Sequence, residues 1–481
     1  MGGKKQAQPR LKAVPMLLQE SLYVGVDIGK HQHVAGFVSK TLLQRHERFE
    51  ACPALAFEQS REGFRTLIDR IRELVPLEQA YILLESTGHY HRALVQYLQE
   101  LDMPVYIMPV QKRPAGMIKT DKRDALGLAN HLYNQLELGV QLADKTHLVR
   151  RLLPASEAAL QLKGWIRHRY ELMHESTQRK NKLTAICDEL FPEFTWVLKD
   201  PNGMAALALR EHFPTPHAMA TAALTTLAQH RVRNHPSVQQ LVELQRLASQ
   251  TIGTKDVVRQ RGLVLEQQQL IRELRMLQEH VQQLDVEIVK LVEQSREGQI
   301  LTSMGIGSIQ AAAIMAAIGN VLNFEKGAAL KAYFGWAPKR EQSGTTLDYD
   351  QLAHTGTRTM KQTMFLVVAN AIQRKDGEWA KLYERLVPRM CSYDERKRAY
   401  RGKLKVLVRI AGQMTEMIYA LLKQDAEILS KVPPGQEPPP PILYDPEIHQ
   451  RHRNGQYRPL KNAPPPRKVI QLPQNTPARD S

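Results

Sequence analysis

Strand-like sequence is concentrated in the first 134 residues of this 481-residue chain, and this asymmetry limits the folds open to it. Short apolar runs between polar residues indicate β-strands, whereas apolar residues three and four apart indicate helices. The strand-like runs are 22–27, 34–38, a weaker one at 42–49, 81–85 and 105–108. The helical stretches are 60–74, 91–101 and 123–133. Three leading strands followed by strand–helix alternation predict a mixed sheet flanked by helices.

Beyond residue 153 the strand signal nearly vanishes, so the fold class is predicted to be α+β with a largely helical remainder. Residues 155–190 fit one long helix or two. Farther on, apolar residues recur at alternating intervals of four and three, which is typical of a coiled-coil seam. The seam residues are Leu270, Leu274, Leu277, Val281, Leu284, Ile288 and Leu291. We expect the seam to join subunits of a homo-oligomer, and an intramolecular helical hairpin is the alternative.

These patterns divide the chain into five segments. They are a basic extension at 1–21, the α/β domain at 22–150, a helical and coiled-coil region at 151–297, a mostly helical domain at 298–431, and a Pro-rich basic tail at 432–481. The first α/β segment has the strand order of a ribonuclease H-like domain. The tail is expected to be disordered until it binds a partner, because such sequence lacks the apolar residues of a core.

The charge balance favours a nucleic-acid partner. Lys and Arg number 66 against 49 Asp and Glu, which gives a formal net charge of +17. The three cysteines are far apart and form no CxxC pair, so neither a disulfide scaffold nor a cysteine zinc site is expected, and a reducing cytoplasm is. The longest apolar runs are too short for a membrane span, so no membrane partner is expected.

Cations cluster on the predicted helix at 155–190 without matching acids on the same face. We expect this basic face to contact a phosphate backbone, and a solvated surface is the alternative. The cations concerned are Arg167, Arg169, Arg179, Lys180 and Lys182, with Lys163 nearby.

Four carboxylates stand at positions unusual for structural acids. Asp27 and Glu85 each end an apolar strand, and Asp121 and Asp124 share one face at the start of a helix. Taken singly, each fits a helix cap or a turn. Together they predict a cage for two divalent cations, Mg²⁺ or Mn²⁺, because these hard ions prefer carboxylate oxygen and two of them assist phosphodiester chemistry.

Two further motifs lie in the second half of the chain. Gly305 and Gly307 fit a helix-hairpin-helix, in which backbone N–H groups approach a DNA phosphate, or else a plain turn between helices. Ser343 follows the cations Lys339 and Arg340, which are able to stabilise a pentacoordinate phosphate. From spacing alone, a serine in this setting is more often a solvated turn residue than a nucleophile.

Together these residues carry a resemblance. Six motifs follow one another in a characteristic order. They are the strand ending in Asp27, the Glu-Ser-Thr-Gly run at 85–88, the Asp121 and Asp124 pair, the Gly-Ile-Gly run at 305–307, the Phe-Gly-Trp-Ala-Pro run at 334–338 and the Gln-Ser-Gly run at 342–344. In that order they resemble the DEDD transposases of the insertion-sequence one-ten (IS110) family and its eleven-eleven branch. The resemblance runs from about residue 22 to residue 422.

The resemblance implies a RuvC-like nuclease fold in which Asp27, Glu85, Asp121 and Asp124 bind metal. It also implies that Ser343 is the nucleophile that becomes covalently attached to DNA. A structured bridge RNA encoded by the element is the implied guide, with target choice delegated to base pairing as in guided nucleases. Assembly of one active site from different subunits, and a bacterial or archaeal cytoplasm, are implied as well.

Three other functions stay open at this point. A site-specific DNA invertase of the Piv type would use the same residues on a different arrangement of DNA. A metal-only nuclease would leave Ser343 without a role. A non-enzymatic, basic coiled-coil protein that binds DNA is disfavoured by the four acids, which oppose DNA binding unless metal neutralises them.

Overall fold

The computed structural model describes residues 20–85, 88–108, 120–139, 149–343, 347–352, 356–374, 377–433 and 435–449. The chain forms two compact units that meet between Ala155 and Ser156. The described parts are a mixed α/β first unit and a mostly helical second unit, which agrees with the predicted fold class at that level. In the described part of the chain, no helix is both long enough and apolar enough to cross a membrane.

A six-stranded sheet with the strand order β3-β2-β1-β4-β5-β6 forms the first unit. The strands are β1 (Leu22–Asp27), β2 (Gln32–Val38), β3 (Ala54–Glu58), β4 (Ala80–Glu85), β5 (Val105–Met108) and β6 (Arg150–Arg151). Strands β1, β4 and β5 run parallel, and β2, β3 and β6 pair antiparallel to their neighbours. The helices are α1 (Lys40–His46), α2 (Arg61–Arg72), α3 (His91–Glu100) and α4 (Asp121–Leu136).

The weak strand predicted at 42–49 is wrong. Residues Lys40–His46 form α1, whose N-terminus is capped by the Ser39 hydroxyl accepting a hydrogen bond from the Leu42 backbone N–H at 3.2 Å. Leu42 is the one buried residue of this helix. The third strand lies farther along the chain at Ala54–Glu58, so three leading strands are present, but the third has a different position.

Fourteen helices and two β-hairpins are described in the second unit. The helices are α5 (Glu157–Leu190), α6 (Phe194–Val197), α7 (Met204–His212), α8 (Pro216–Thr221), α9 (Leu224–Gln229), α10 (Val238–Ser249), α11 (Val257–Gln294), α12 (Arg296–Ser303), α13 (Ser308–Ile318), α14 (Gly327–Tyr333), α15 (Arg358–Gln373), α16 (Glu378–Met390), α17 (Leu404–Leu429) and α18 (Pro446–His449). The hairpin strands are β7 (Pro338–Ser343), β8 (Leu347–Leu352), β9 (Ser392–Asp394) and β10 (Ala399–Arg401).

Helices α5 and α11 form a long antiparallel pair. Their ion pairs show the direction, because residues late in α5 meet residues early in α11. Arg169 Nε lies 2.5 Å from Asp285 Oδ1, and Arg259 Nε lies 2.6 Å from Glu189 Oε1. The predicted helix at 155–190 is therefore one helix with a partner in the same chain.

The heptad seam is filled from within the chain. Leu270 and Leu274 pack in one cluster with Leu183 and Ile186 of α5. Ile288 packs at the other end of α11, in the core that also contains α5 residues and helices of the C-terminal segment. At Leu270, Leu274 and Ile288, the contacts are those expected for an intramolecular helical hairpin. The predicted helical region at 151–297 also shares a core with the predicted domain at 298–431.

Residues of the Pro-rich tail between 435 and 449 contact the helical part of the chain, and the disorder of the tail stays a prediction. Arg296 Nη1 donates to the Pro439 carbonyl at 2.5 Å, and the Tyr444 backbone N–H donates to Ser303 Oγ at 2.9 Å. The Tyr444 ring stacks on Trp379 with centroids 6.4 Å apart. These contacts supply the apolar and polar anchors that composition alone did not reveal. Residues 450–481 and the extension at 1–19 lie outside the described residues.

Candidate active site

Two of the predicted acids end adjacent parallel strands. The register of β1 and β4 pairs Leu22 with Ala80 and, at its last step, Val26 with Leu84. Asp27 and Glu85 are the next residue on each strand, so both stand at the carboxyl-end edge of the sheet. Both side chains are half-buried. The structure thus places this pair where the strand pattern predicted.

Helix α4 runs antiparallel along β1 and carries the other two acids toward that edge. Near the start of β1, the Tyr23 hydroxyl donates to Glu137 Oε2 at 2.6 Å, one residue beyond the end of α4. In the middle, a Cβ at Gly25 would lie 2.2 Å from the Ala125 carbonyl oxygen. Alternate residues of a strand share a face, so Asp27 follows Tyr23 and Gly25 on the face that α4 covers. The first turn of α4 is accordingly the part of the helix nearest Asp27.

A second glycine lets the helix approach this closely. A Cβ at Gly36, opposite Gly25 in the β1–β2 register, would lie 2.7 Å from the Leu126 backbone nitrogen. Side chains at these two positions would hold α4 away from the sheet. The glycine pair therefore sets the depth at which the first turn of α4 sits over the strand ends.

Asp121 and Asp124 occupy this first turn. Thr120 caps the helix, its Oγ1 accepting from the Arg123 backbone N–H at 3.2 Å. Because Thr120 already fills the capping role, neither aspartate is needed as the N-cap, although both are favoured by the helix dipole. Asp124 is half-buried and Asp121 is exposed.

The donor set fits a hard divalent cation. Four carboxylates supply only oxygen ligands, which Mg²⁺ and Mn²⁺ prefer. Within the described ranges, no three His, Cys, Asp or Glu side chains are gathered as a metal-binding cluster. The backbone brings the acids to one edge of the sheet without closing their side chains around a common point.

A buried histidine, which the sequence analysis did not single out, joins the loops that follow the two strand-end acids. His33 Nδ1 accepts from the Gly29 N–H at 3.2 Å, and its Nε2 is paired with Gln59 Oε1. Gln59 Nε2 then donates to the Tyr90 carbonyl at 3.0 Å. Burial lowers the pKa of His33, and the Gln59 hydrogen bond opposes that shift. Since Nδ1 accepts, the ring proton is assigned to Nε2.

Ser343 is the last residue of β7, where it pairs with Leu347 of β8. The same register places Lys339 opposite Gln351 and Arg340 opposite Asp350. The positions of Lys339, Arg340 and Ser343 therefore share one strand of a β-hairpin, whereas spacing alone favours a turn for the serine. Gly344 lies outside the described residues.

The Phe-Gly-Trp motif anchors this hairpin to the helical core. Phe334 and Trp336 are 0% and 3% exposed. Between them, Gly335 has a φ of 75°, and Gly356, with a φ of 97°, approaches so closely that a Cβ there would lie 2.5 Å from the Gly335 Cα. Glycine at both positions allows the two ends of the hairpin to meet.

Gly305 and Gly307 lie in a four-residue connection between α12 and α13. Gly305 has a φ of 79°, and a Cβ there would lie 2.6 Å from Arg374 Nη1. Gly307 is the N-cap of α13. A short connection between two helices is present, as both the helix-hairpin-helix and the plain turn require. Contact of this connection with DNA stays a prediction.

The basic face of α5 is partly neutralised by α11. Besides Arg169, Arg179 pairs with Glu273 at 3.0 Å, and Lys182 lies 3.9 Å from Glu266. Arg167 pairs within α5, with Glu171 at 3.1 Å. Lys180 is half-buried. Asp285, Glu273 and Glu266 lie on α11, far away in the sequence. Glu171 and Glu175 lie on α5 itself, so the expectation of a basic face without matching acids is wrong.

Comparisons with known proteins match both units. A DEDD family model of IS110 type, described as a transposase, matches residues 24–192. A model described as the transposase IS116/IS110/IS902 family matches residues 298–384. An insertion element IS110 uncharacterized 43.6 kDa protein of Streptomyces coelicolor is 27% identical over 334 residues, which are 67% of this chain and 75% of the relative. The first match contains all four acids, and the second contains Gly305, Gly307 and Ser343.

Proposed function

Because this chain belongs to the IS110 family of transposases and is a transposase enzyme, we propose that it cuts and rejoins DNA through a phosphodiester with Ser343, assisted by divalent metal at four acids. The first unit then has a RuvC-like nuclease fold. The observation that carries the proposal is the placement of Asp27, Glu85 and the first turn of α4 at one edge of the sheet.

The chemistry divides into two transesterifications. In the first, Ser343 Oγ loses its proton and bonds to phosphorus, while the bond from phosphorus to one deoxyribose oxygen breaks and that oxygen takes up a proton. In the second, a hydroxyl of another strand attacks the serine phosphodiester, so Ser343 is released with its proton restored. The number of phosphodiester bonds is unchanged, so no ATP is required.

The four acids have a defined task in this proposal. Asp27, Glu85, Asp121 and Asp124 would hold Mg²⁺ or Mn²⁺, which supplies positive charge to the phosphate as it becomes pentacoordinate. Lys339 and Arg340, on the same strand as Ser343, would add positive charge.

The test is a denaturing gel of the protein incubated with labelled element-end DNA and Mg²⁺. The parent protein is expected to give a DNA-linked protein band. Ser343→Ala should lose both this band and strand exchange while still binding DNA, because the change removes one oxygen and no charge. Asp121→Asn should lose cleavage and keep its fold, since Asp121 is exposed.

Other outcomes of the same gel favour the rival functions. An adduct that persists in Ser343→Ala would move the nucleophile to another residue. Cleavage without an adduct in the parent would favour the metal-only nuclease. A Piv-type invertase would give the adduct and invert a segment between two sites, so the products on a two-site substrate separate it from a transposase.

Nucleic-acid contacts and a guide RNA complete the proposal. Phosphates would be contacted by Gly305, Gly307 and the α5 cations, most of which also form ion pairs within the protein. A bridge RNA would select the target. RNA that copurifies with the protein, sequenced and compared with DNA flanking the gene, tests this partner. The protein would act as a homo-oligomer, a dimer or a tetramer, because the family resemblance implies an active site assembled from different subunits.

A further inference from the structure

A cluster of cations lies outside both family matches, on the β-hairpin between α16 and α17. Its strands β9 and β10 pair antiparallel, with Tyr400 opposite Tyr393. The fourteen residues 392–405 contain six cations and two carboxylates. The cations are Arg396, Lys397, Arg398, Arg401, Lys403 and Lys405, and all six residues are exposed.

One of the two carboxylates is used within the hairpin. Asp394 Oδ1 accepts from the backbone N–H groups of Arg396 at 3.0 Å and Lys397 at 3.2 Å, and Oδ2 is paired with the Arg401 guanidinium. This carboxylate therefore shapes the turn and compensates Arg401. Among the described residues, no acid forms an ion pair with Arg396, Lys397 or Arg398, and these three consecutive cations project at the tip.

The backbone at the tip includes one residue in the left-handed conformation. Arg398 has a φ of 45°, in the region that glycine and asparagine adopt at lower cost. Short hairpin loops often contain one residue in this conformation. The charge of the arginine is the property that glycine or asparagine would not supply.

The size of the hairpin indicates which polyanion it fits. Three paired residues at about 3.3 Å each make strands about 10 Å long, spaced about 4.8 Å apart. The major groove of B-form DNA, about 12 Å wide and about 8.5 Å deep, admits a two-stranded ribbon. The major groove of an RNA duplex is too narrow for this. The Tyr393 and Tyr400 rings, with centroids 5.1 Å apart, pack together at the middle pair of the ribbon.

We propose that the hairpin 392–401 enters the major groove of duplex DNA, with Arg396, Lys397 and Arg398 contacting phosphates along it. This inference rests on the proposed function only in taking DNA as the substrate. It adds a DNA-binding surface that neither the acids nor Ser343 provide.

The test removes the three tip cations in the full-length chain. The variant combines Arg396→Gln, Lys397→Gln and Arg398→Asn, the asparagine being chosen because it tolerates the left-handed conformation. Binding of a DNA duplex is measured over a range of salt concentrations. The slope of log K against log salt should fall by about three, since each phosphate contact contributes about 0.9.

A matched control removes the same charge elsewhere. Arg61→Gln, Arg65→Gln and Arg72→Gln take three exposed cations from α2, and this variant should keep the parent slope. Lys397→Gln alone should lower the slope by about one, which keeps the test valid if the triple variant folds poorly. Methylation of guanine N7, which lies in the major groove, should interfere with binding by the parent and not by the triple variant.

Three results would overturn the proposal. An unchanged slope, or an equal loss in the α2 control, would show that the hairpin makes no local contact. If the triple variant loses as much affinity for duplex RNA and for single-stranded DNA as for duplex DNA, the cluster does not recognise the major groove of duplex DNA. All measurements use a Ser343→Ala background with chelated metal, so they do not depend on cleavage, and failure here leaves the adduct test of the proposed function intact.

Discussion

Individual side chains at the sheet edge divide into those proposed for chemistry and those that hold the loops. His33 belongs to the second group, because its two ring nitrogens bridge Gly29, after β1, to Gln59, which contacts Tyr90 after β4. A histidine in a strand has no spacing signal that would separate this role from ordinary core packing. Only the hydrogen bonds across 26 and 31 residues of sequence reveal it.

Replacement of His33 tests this role through its pH dependence. The folded-state pKa is below the ordinary value of 6.5, so the unfolded chain takes up a proton first as the pH falls. The histidine therefore stabilises the fold fully above about pH 6.5, and this stabilisation is lost as the pH falls toward the lowered folded pKa. His33→Phe keeps a ring against Phe57 and Phe64.

Two observations check the replacement. At neutral pH, His33→Phe should lower the free energy of unfolding by about 1–3 kcal/mol, because Gln59 loses a buried partner. Urea unfolding on either side of pH 6.5 should show a weaker acid dependence in the variant than in the parent. The same acid dependence in both proteins would show that His33 does not titrate on unfolding.

At the scale of elements, the contact of α4 with the sheet decides where two of the four acids lie. The helix is close enough to the strands that backbone atoms would meet a Cβ at Gly25 or Gly36. The position of Asp121 and Asp124 over the strand ends is therefore a property of the helix–sheet contact as much as of the aspartates.

Adding one methyl group at this contact should move the helix. Gly25→Ala places a Cβ 2.2 Å from a backbone oxygen, an overpacking that costs about 1–3 kcal/mol, and we expect cleavage of element-end DNA to fall with it. Gly127→Ala is the matched control in α4 itself, where a Cβ meets nothing within 4 Å. That change should stabilise the protein by about 0.5–1 kcal/mol and keep cleavage. Thermal unfolding measures the stability of the two variants, and the cleavage gel measures their activity. The same loss of cleavage in Gly25→Ala and Gly127→Ala would contradict the role given to the contact between α4 and the sheet.

Elements whose signal is local could be predicted, and those set by distant partners could not. Apolar runs ending in an acid placed Asp27 and Glu85 correctly, because strand period and strand end are both visible in sequence. The third strand was misplaced because capping by Ser39 and a single buried Leu42 outweigh an ambiguous apolar run. Two of the acids that compensate the α5 cations, Asp285 and Glu273, lie on α11 and could not be paired with them from sequence. Glu171 and Glu175 stand four residues from Arg167 and Arg179, so those two ion pairs could have been predicted from spacing.

At the scale of the whole molecule, the heptad seam bears on assembly. Leu274 is fully buried against residues of its own chain, so subunits joined elsewhere do not need it. We therefore expect an oligomer of this protein to form through a surface that does not include Leu274.

A pair of variants separates folding from assembly at the seam. Leu274→Ala should lower the free energy of unfolding by about 2–5 kcal/mol, because it leaves a cavity in a packed core. Light scattering should give the folded variant the same mass as the parent. Met276→Ala, two residues away and half exposed, should change stability by no more than about 0.5 kcal/mol. A lower mass for Leu274→Ala would restore the intersubunit interpretation.

The length of the α5–α11 pair limits which nucleic acids can contact both of its ends. Leu162, in the core shared with the C-terminal helices, and Leu190, in the cluster at the other end, are separated along α5 by about 42 Å at 1.5 Å per residue. One turn of a DNA duplex is about 34–36 Å. A nucleic acid touching both ends of the pair must therefore present contact points more than one helical turn apart, so the length of α5 sets a minimum length for any such ligand.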